Sequence, residues 1–197
     1  PERSLADVFA DVTIVVQPVA NGTGGALAAA AEHLADGAPI VVLYGDVPLI
    51  GAATISELVA AHAAAGAAAT VATTVLDDPA GYGRIVRGPD GAVERIVETK
   101  TAGDATAEEL AIREINSGVY VFEPAALREV LPRLTAHNAQ GELYLTDALA
   151  LLSKGGGVVQ AHVVDDPAIV LGIEVSGFNM RTPEGYRLPR VYTKLHE

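Results

Sequence analysis

The chain has 197 residues, enough for one domain with a sizeable core, and it lacks cysteine, which excludes disulfides and thiolate metal sites. Its formal net charge of −12 argues against a general nucleic-acid-binding protein, because such proteins need a basic surface. Half of the residues are apolar, yet no uninterrupted apolar run approaches the ~20 residues of a membrane span. Since no apolar segment follows a basic N-terminus, we expect a cytoplasmic protein without a signal peptide, binding neither nucleic acid nor membrane.

One apolar segment, residues 40–44, organises the sequence and ends in Gly45 and Asp46. Its branched apolar residues lack the alternation of a half-exposed strand, which favours a parallel strand covered on both faces. In open α/β sheets, ligands bind in the crevice outside the carboxyl ends of the strands. Asp46 is therefore a candidate ligand of a divalent metal beside a phosphate, although a single Asp also commonly caps a turn.

The other segments alternate between strand-like and helix-like patterns. A glycine-rich loop at residues 17–25 lies between a predicted strand, 12–16, and a predicted helix, 26–34, an order that can present backbone N–H groups to an anion or a base edge. The loop matches neither the P-loop nor the dinucleotide fingerprint, so a plain tight turn is the alternative. Further helices are predicted over residues 52–62, 124–131 and 148–152, with a short one before 109, and strands over 67–75, 83–87, 93–98, 114–122 and 158–164.

This pattern predicts a three-layer α/β/α domain with a mixed, mostly parallel sheet. The exception is a hairpin around Pro89-Asp90-Gly91, since two strand-like runs flank that turn sequence. We expect Arg84 and Arg87 to be solvated or paired on a face of the hairpin.

Six motifs occur in the order and near the spacing of one enzyme family. They are Gln17 with Gly22-Thr23-Gly24, LYGDVPL at 43–49, GYGRI at 81–85, IVE at 96–98, EINSG at 114–118 and NAQGELYLTD at 138–147. Over about residues 12–181 the chain resembles the uridylyltransferase domain of bacterial N-acetylglucosamine-1-phosphate uridylyltransferases, usually the front half of a bifunctional protein with a glucosamine-1-phosphate acetyltransferase half. The resemblance implies a Rossmann-like nucleotide-diphospho-sugar transferase fold for residues 1–181, with 182–197 as an atypical tail.

The resemblance also implies a reaction, in which UTP and N-acetylglucosamine 1-phosphate give UDP-N-acetylglucosamine, a peptidoglycan precursor, and pyrophosphate. Nucleotidyl transfer of this kind needs positioning and charge neutralisation more than a covalent nucleophile. The implied uridine-binding residues are Gln17, Gly22, Thr23, Tyr44 and Gly45, the sugar-binding residues are Gly83, Glu98, Asn116 and Thr146, and the Mg²⁺ ligands are Asp46 and Asn179.

The chain also departs from the family. The family's N-terminal glycine-rich loop, which carries an Arg and a Lys, has no counterpart in the sequence, so we expect an N-terminally incomplete domain with unassigned catalytic residues. Gly25 and Ala20 stand where the family usually carries His and often carries Gln, and the acetyltransferase half is absent. We therefore expect little transfer by these 197 residues alone. The alternatives are a catalytically silent nucleotide-sugar binding or assembly module and another sugar-1-phosphate nucleotidylyltransferase; a homo-oligomer stays open.

Overall fold

The computed structural model describes residues 13–99, 101 and 103–171, and within these ranges six strands form one mixed sheet. The strands are β1 (Ile40–Val42), β2 (Ala69–Val75), β3 (Arg84–Arg87), β4 (Val93–Val97), β5 (Glu114–Phe122) and β6 (Val159–Val163). The helices are α1 (Thr23–Ala29), α2 (Ala52–Ala65), α3 (Ala107–Leu110), α4 (Pro124–Val130) and α5 (Thr146–Lys154), with 3₁₀ turns at Ala31–His33, Leu131–Arg133 and Pro167–Ile169. In this part of the chain no helix is long and apolar enough to cross a membrane.

The sheet is built around β5, its longest strand. The order is β4-β3-β5-β2-β6, and β1 pairs with β5 as well. The predicted mixed sheet is confirmed, but its pairings are mostly antiparallel: β5 runs antiparallel to β1, β2 and β3, and only β2 and β6 are parallel among the described pairs. The hairpin contributes a further antiparallel pair, because the short turn between β3 and β4 cannot join parallel strands.

Side chains on β5 alternate between two apolar clusters. Tyr120 and Phe122 pack with residues of α4 and α5, whereas Val119 and Val121 pack with Leu58 of α2 on the opposite face. Successive strand residues point to opposite faces of a sheet, so this division places helices on both sides. The predicted three layers are therefore confirmed.

The segments at the open side of β1 differ from their prediction. β1 is only partly buried and pairs antiparallel with β5, so the expected parallel strand with two covered faces is wrong. The strand predicted from residue 12 is absent over residues 13–16, where the side chains of Ile14 and Val16 are 51% and 80% exposed. β-Branched residues favour strands only where neighbours pack against them.

The predicted hairpin is confirmed and locked by polar contacts. Asp90 accepts a hydrogen bond from the Ala92 backbone in the turn, at 3.1 Å. The Arg87 guanidinium donates to both carboxylate oxygens of Glu114, at 2.7 and 2.8 Å, as expected for a paired residue. Arg84 is only 4% exposed, so of the two expected states, solvated or paired, the solvated one is wrong for this residue.

Candidate active site

A cavity of about 340 Å³ opens beside the middle of β5. One edge of this strand pairs with β3 at Ile115 and with β1 from Tyr120 to Phe122. Residues 116–118 lie between those two partners, and the cavity occupies the gap. Six predicted site residues line it: Thr23, Tyr44, Asp46, Gly83, Glu98 and Asn116.

Four other predicted residues, Gln17, Gly22, Gly45 and Thr146, are described by the structure but do not line this cavity. Gly45 lines a second cavity of about 380 Å³, which shares Thr23 and Tyr44 with the first. Gln17 and Gly22 line neither cavity, and the Gln17 amide nitrogen donates to the Gly22 carbonyl at 3.1 Å. Asn179 and the tail 182–197 lie outside the described residues.

Glu98 stands just beyond the end of β4 and is held from behind by α5. Thr146, the first residue of that helix, is 3% exposed, and its hydroxyl donates to Glu98 Oε1 at 3.1 Å. Thr146 therefore orients the carboxylate without lining the cavity itself. A carboxylate fixed in this way is a suitable acceptor for ligand hydroxyl groups.

Asn116 and Gly118 shape the floor of the cavity from β5. The Asn116 side-chain oxygen accepts a hydrogen bond from the Gly118 backbone at 3.1 Å, which turns its amide nitrogen to the other side. Gly118 has a φ of 77°, and a Cβ there would lie 2.4 Å from Cδ2 of Tyr44. Only glycine allows this backbone conformation with the tyrosine ring packed directly on it.

Two tyrosines stack behind this floor. The rings of Tyr44 and Tyr120 meet edge to face, with centroids 6.0 Å apart. Burial raises the pKa of Tyr44, and burial followed by the neighbouring Tyr44 raises the pKa of Tyr120 well above its ordinary value. Both hydroxyls therefore stay protonated at neutral pH. The Tyr120 hydroxyl is fully buried.

The glycine-rich loop brings two distant motifs together. Gly24 donates its backbone N–H to the Leu143 carbonyl at 2.8 Å, and the Thr23 hydroxyl accepts from the backbone N–H of Leu145 at 3.1 Å. Gly22 has a φ of 98°, and a Cβ on it would lie 2.6 Å from the Leu143 oxygen. The glycines thus serve a close approach between the 22–24 loop and the segment that leads into α5.

The charge of the cavity is negative. Asp46 and Glu98 contribute carboxylates, and no Lys or Arg occurs among the described residues that line it. A bound phosphate would therefore need a cation held nearby. Asp46 is exposed beyond the end of β1, and no group of three or more metal-ligating His, Asp or Glu residues forms within the described ranges.

Two aromatic residues of the cavity have no role in the sequence interpretation. Tyr82 and Tyr144 both line it. Tyr82 lies between Gly81 and Gly83, and an aromatic residue flanked by glycines at a strand end is the signal that could have indicated it. With Glu98 and Asn116, these rings offer one apolar surface and several hydrogen-bonding groups, which suits a polyhydroxylated ring.

Comparison with known proteins shows the family to which a chain with this fold and cavity belongs. The nucleotidyl transferase family matches residues 3–166, so the chain belongs to this family. Two structures of UDP-glucose pyrophosphorylase share the fold. The one complexed with UDP-glucose has a TM-score of 0.56 at 16% identity, covering 73% of this chain and 55% of that chain. The apo structure has a TM-score of 0.57 at 18% identity, covering 76% and 54%.

Curated relatives are more similar in sequence. The bifunctional protein GlmU of Kineococcus radiotolerans is 50% identical over 173 residues, which cover 87% of this chain and 34% of that protein. The protein of the same name from Mycolicibacterium vanbaalenii is 51% identical over 165 residues, covering 83% and 33%. The one from Mycobacterium tuberculosis is 47% identical over 172 residues, covering 86% and 34%. The chain spans about a third of the length of these relatives, and the resemblance seen in the six motifs is confirmed.

Proposed function

We propose that the chain is the nucleotidyl-transfer part of an enzyme that makes UDP-N-acetylglucosamine and pyrophosphate from UTP and N-acetylglucosamine 1-phosphate. A phosphate oxygen of the sugar phosphate would bond to the α-phosphorus of UTP, whose bond to the pyrophosphate oxygen breaks. The observation that carries the proposal is the meeting of six predicted residues, drawn from five separate motifs, around one cavity.

The sugar would lie in the first cavity. Glu98, held by Thr146, is suited to accept hydrogen bonds from sugar hydroxyls, and Asn116 offers an amide from β5 in the same cavity. Gly83 is buried in the facing wall, where a Cβ would lie 3.1 Å from a methyl carbon of Ile96. The absence of a side chain at Gly83 keeps that wall close to the ligand.

The nucleoside would lie toward the second cavity. Thr23, Tyr44 and Gly45 line this cavity, and Tyr44 and Thr23 also face the first one. A ligand passing from one cavity to the other would cross the Tyr44 ring. Gln17 and Gly22, which are hydrogen-bonded to each other, would contribute to the uracil-binding surface from the loop before α1.

A divalent cation, Mg²⁺ in this proposal, would be held at the Asp46 side of the first cavity. Asp46 and Asn179 would hold it, and one or two protein oxygen ligands are enough because Mg²⁺ keeps several waters and binds phosphate oxygens directly. When bound, the ion neutralises charge on the phosphates. Asp46 is suited to this role because it is exposed at the cavity rim, where the described lining residues supply no positive charge.

Calorimetry with three nucleotides tests the proposal. UDP-N-acetylglucosamine and UTP should each bind at least about tenfold more tightly than ATP, because a site that pairs with polar edges rejects a base that leaves its groups unpaired. Equal affinity for UTP and ATP would contradict the uridine assignment. No binding of UDP-N-acetylglucosamine at millimolar concentration would contradict the proposed function itself.

A silent binding module is the second candidate, and the acidic lining of the cavity favours it. The described lining residues supply no positive charge, and each preorganised charge that a transfer site lacks costs about 10² to 10³ in rate. We therefore expect no measurable pyrophosphate release from UTP and N-acetylglucosamine 1-phosphate by these 197 residues with Mg²⁺. Turnover on the order of 1 s⁻¹ would instead favour a complete catalyst.

A further inference from the structure

One carbonyl in the cavity wall receives two side-chain hydrogen bonds. The Tyr82 carbonyl oxygen accepts from the Thr99 hydroxyl at 2.9 Å and also from Nη1 of Arg84. Thr99 directly follows Glu98, whereas Arg84 is the first residue of β3. Neither donor lines the cavity, while Tyr82 and Glu98 both do.

The next carbonyl in the same wall is fixed as well. Gly83 accepts a hydrogen bond from the Asn116 backbone N–H at 2.9 Å. The wall is therefore tied on one side to the end of β4, where Glu98 lies, and on the other side to β5, where Asn116 lies. This matters because Gly81, with a φ of 82°, and Gly83 are residues whose backbone is otherwise easily rotated.

Burial of the charged Arg84 side chain is unfavourable, and its hydrogen bond to the cavity wall offsets part of this cost. Its side chain is buried, burial lowers its pKa although Asp78 opposes this, and its Nε has no hydrogen-bond partner among the described residues. Burying a charged group is unfavourable unless its hydrogen bonds compensate. The bond from Arg84 to the Tyr82 carbonyl supplies such compensation, and it restricts the peptide that joins Tyr82 to Gly83.

We propose that Thr99 and Arg84 are positioning residues for the sugar part of the ligand, acting through the Tyr82 carbonyl. By holding the peptide between Tyr82 and Gly83, they set the distance between the glycine wall and Glu98. This inference rests on the proposed function, in which Gly83, Glu98 and Asn116 contact the sugar. It adds two residues that lie behind the wall and do not contact the ligand.

The test compares affinities for UDP-N-acetylglucosamine and UTP by calorimetry. Thr99→Val keeps the shape of the side chain but removes its hydrogen bond to the Tyr82 carbonyl. The affinity for UDP-N-acetylglucosamine should therefore fall about three- to tenfold. UTP, which lacks the sugar, should bind as before. Thr99→Ser keeps the hydroxyl and should restore the affinity. Arg84→Met should also reduce the ratio of the affinity for UDP-N-acetylglucosamine to the affinity for UTP. It should lower the melting temperature as well.

Thr74→Val is the matched control. Its hydroxyl donates to the Val164 carbonyl at 2.9 Å, the same kind of bond, but it does not line the cavity. It should lower stability and leave the ratio unchanged. An unchanged ratio in Thr99→Val, or an equal loss for both nucleotides, overturns the positioning role while leaving the proposed function intact. If the unsubstituted protein does not bind UDP-N-acetylglucosamine, the proposed function and this inference both fail.

Discussion

The two sides of the cavity are built differently. On the proposed sugar side, Gly83 and Glu98 flank the ends of β3 and β4, and Asn116 lies within β5. Hydrogen bonds through Tyr82, Thr99 and the backbone join these three residues to one another. On the nucleotide side, Thr23, Gly45 and Asp46 are exposed, and the last two follow a strand of only three residues. Hydrogen bonds that already hold the binding residues in place reduce the conformational entropy that is lost when the ligand binds. The comparison therefore predicts that the sugar side determines how much more tightly UDP-N-acetylglucosamine binds than UTP.

The largest effect should come from breaking the contact between the two sides. In Gly118→Ala, the new methyl group would lie 2.4 Å from the Tyr44 ring at a φ of 77°. Left-handed strain and overpacking together should reduce the free energy of unfolding by about 3 kcal/mol. Denaturant unfolding measures this loss.

Gly156→Ala provides the control for that substitution. Gly156 has a φ of 82°, similar to Gly118, but a Cβ there would have no atom within 4 Å. It should cost only about 1 kcal/mol, from backbone strain alone. Equal losses in the two variants would show that the Tyr44 contact is not tight.

The next effect concerns the sugar side. Glu98→Gln keeps the shape of the side chain but removes its charge, and hydrogen bonds to charged groups contribute about 1.5–3 kcal/mol. Calorimetry should therefore show about 10- to 100-fold weaker binding of UDP-N-acetylglucosamine and an unchanged affinity for UTP. Glu94→Gln, at an exposed position of β4, should alter neither affinity. A similar loss for both nucleotides would contradict the division into two sides.

Much of the sugar side could be predicted from the sequence, and the pattern of β5 explains why. Its predicted bounds, 114–122, match the structure because the apolar run 119–122 ends before Glu123, and Pro124 begins α4. The family resemblance of the motifs predicted Glu98 and Asn116 as sugar-binding residues. Tyr82 lies in the GYGRI motif between two glycines, but its place in the wall also depends on a hydrogen bond from Thr99, which lies 17 residues later in the chain.

The nucleotide side was less predictable, because its structure depends on pairing partners. Residues 40–44 have the composition of a covered parallel strand, but the partner of β1 is the antiparallel β5. Sequence patterns show which residues prefer a strand and not the direction of the neighbouring strand. The burial of Arg84 was also missed, because a sequence pattern does not show the hydrogen bond to the Tyr82 carbonyl that its buried guanidinium makes.

A smaller effect should appear at acidic pH between α2 and β2, where His62 lies outside the lining of both cavities. His62 is 2% exposed, its Nδ1 lies 3.0 Å from the Thr70 hydroxyl of β2, and burial lowers its pKa below 6.5, although Glu123 opposes the shift. As pH falls below 6.5, the unfolded chain binds a proton that the folded protein resists. The free energy of unfolding should then decrease by at most about 1.4 kcal/mol per pH unit.

Denaturant unfolding between pH 7.5 and 5.5 measures this decrease. His62→Gln removes the titrating group and should flatten the dependence over this range. The same slope in the variant and in the unsubstituted protein would mean that other groups cause it.

The smallest effect should come from the nucleotide side. Thr23→Val removes the acceptor of the Leu145 N–H and should cost about 1 kcal/mol of stability. Because both ligands contain uridine, UTP and UDP-N-acetylglucosamine should lose affinity by the same factor, about two- to fivefold. A loss confined to the sugar nucleotide would place Thr23 functionally with Glu98 and contradict the comparison.

The central claim is that the gap beside residues 116–118 of β5 is the sugar-binding cavity. A crystal structure of the protein with UDP-N-acetylglucosamine and Mg²⁺ tests it most directly. We predict the sugar ring in the cavity, with a hydroxyl about 2.5–3.0 Å from a Glu98 carboxylate oxygen. A sugar ring ordered elsewhere on the surface, with the nucleotide bound and this cavity filled by water, would contradict the account.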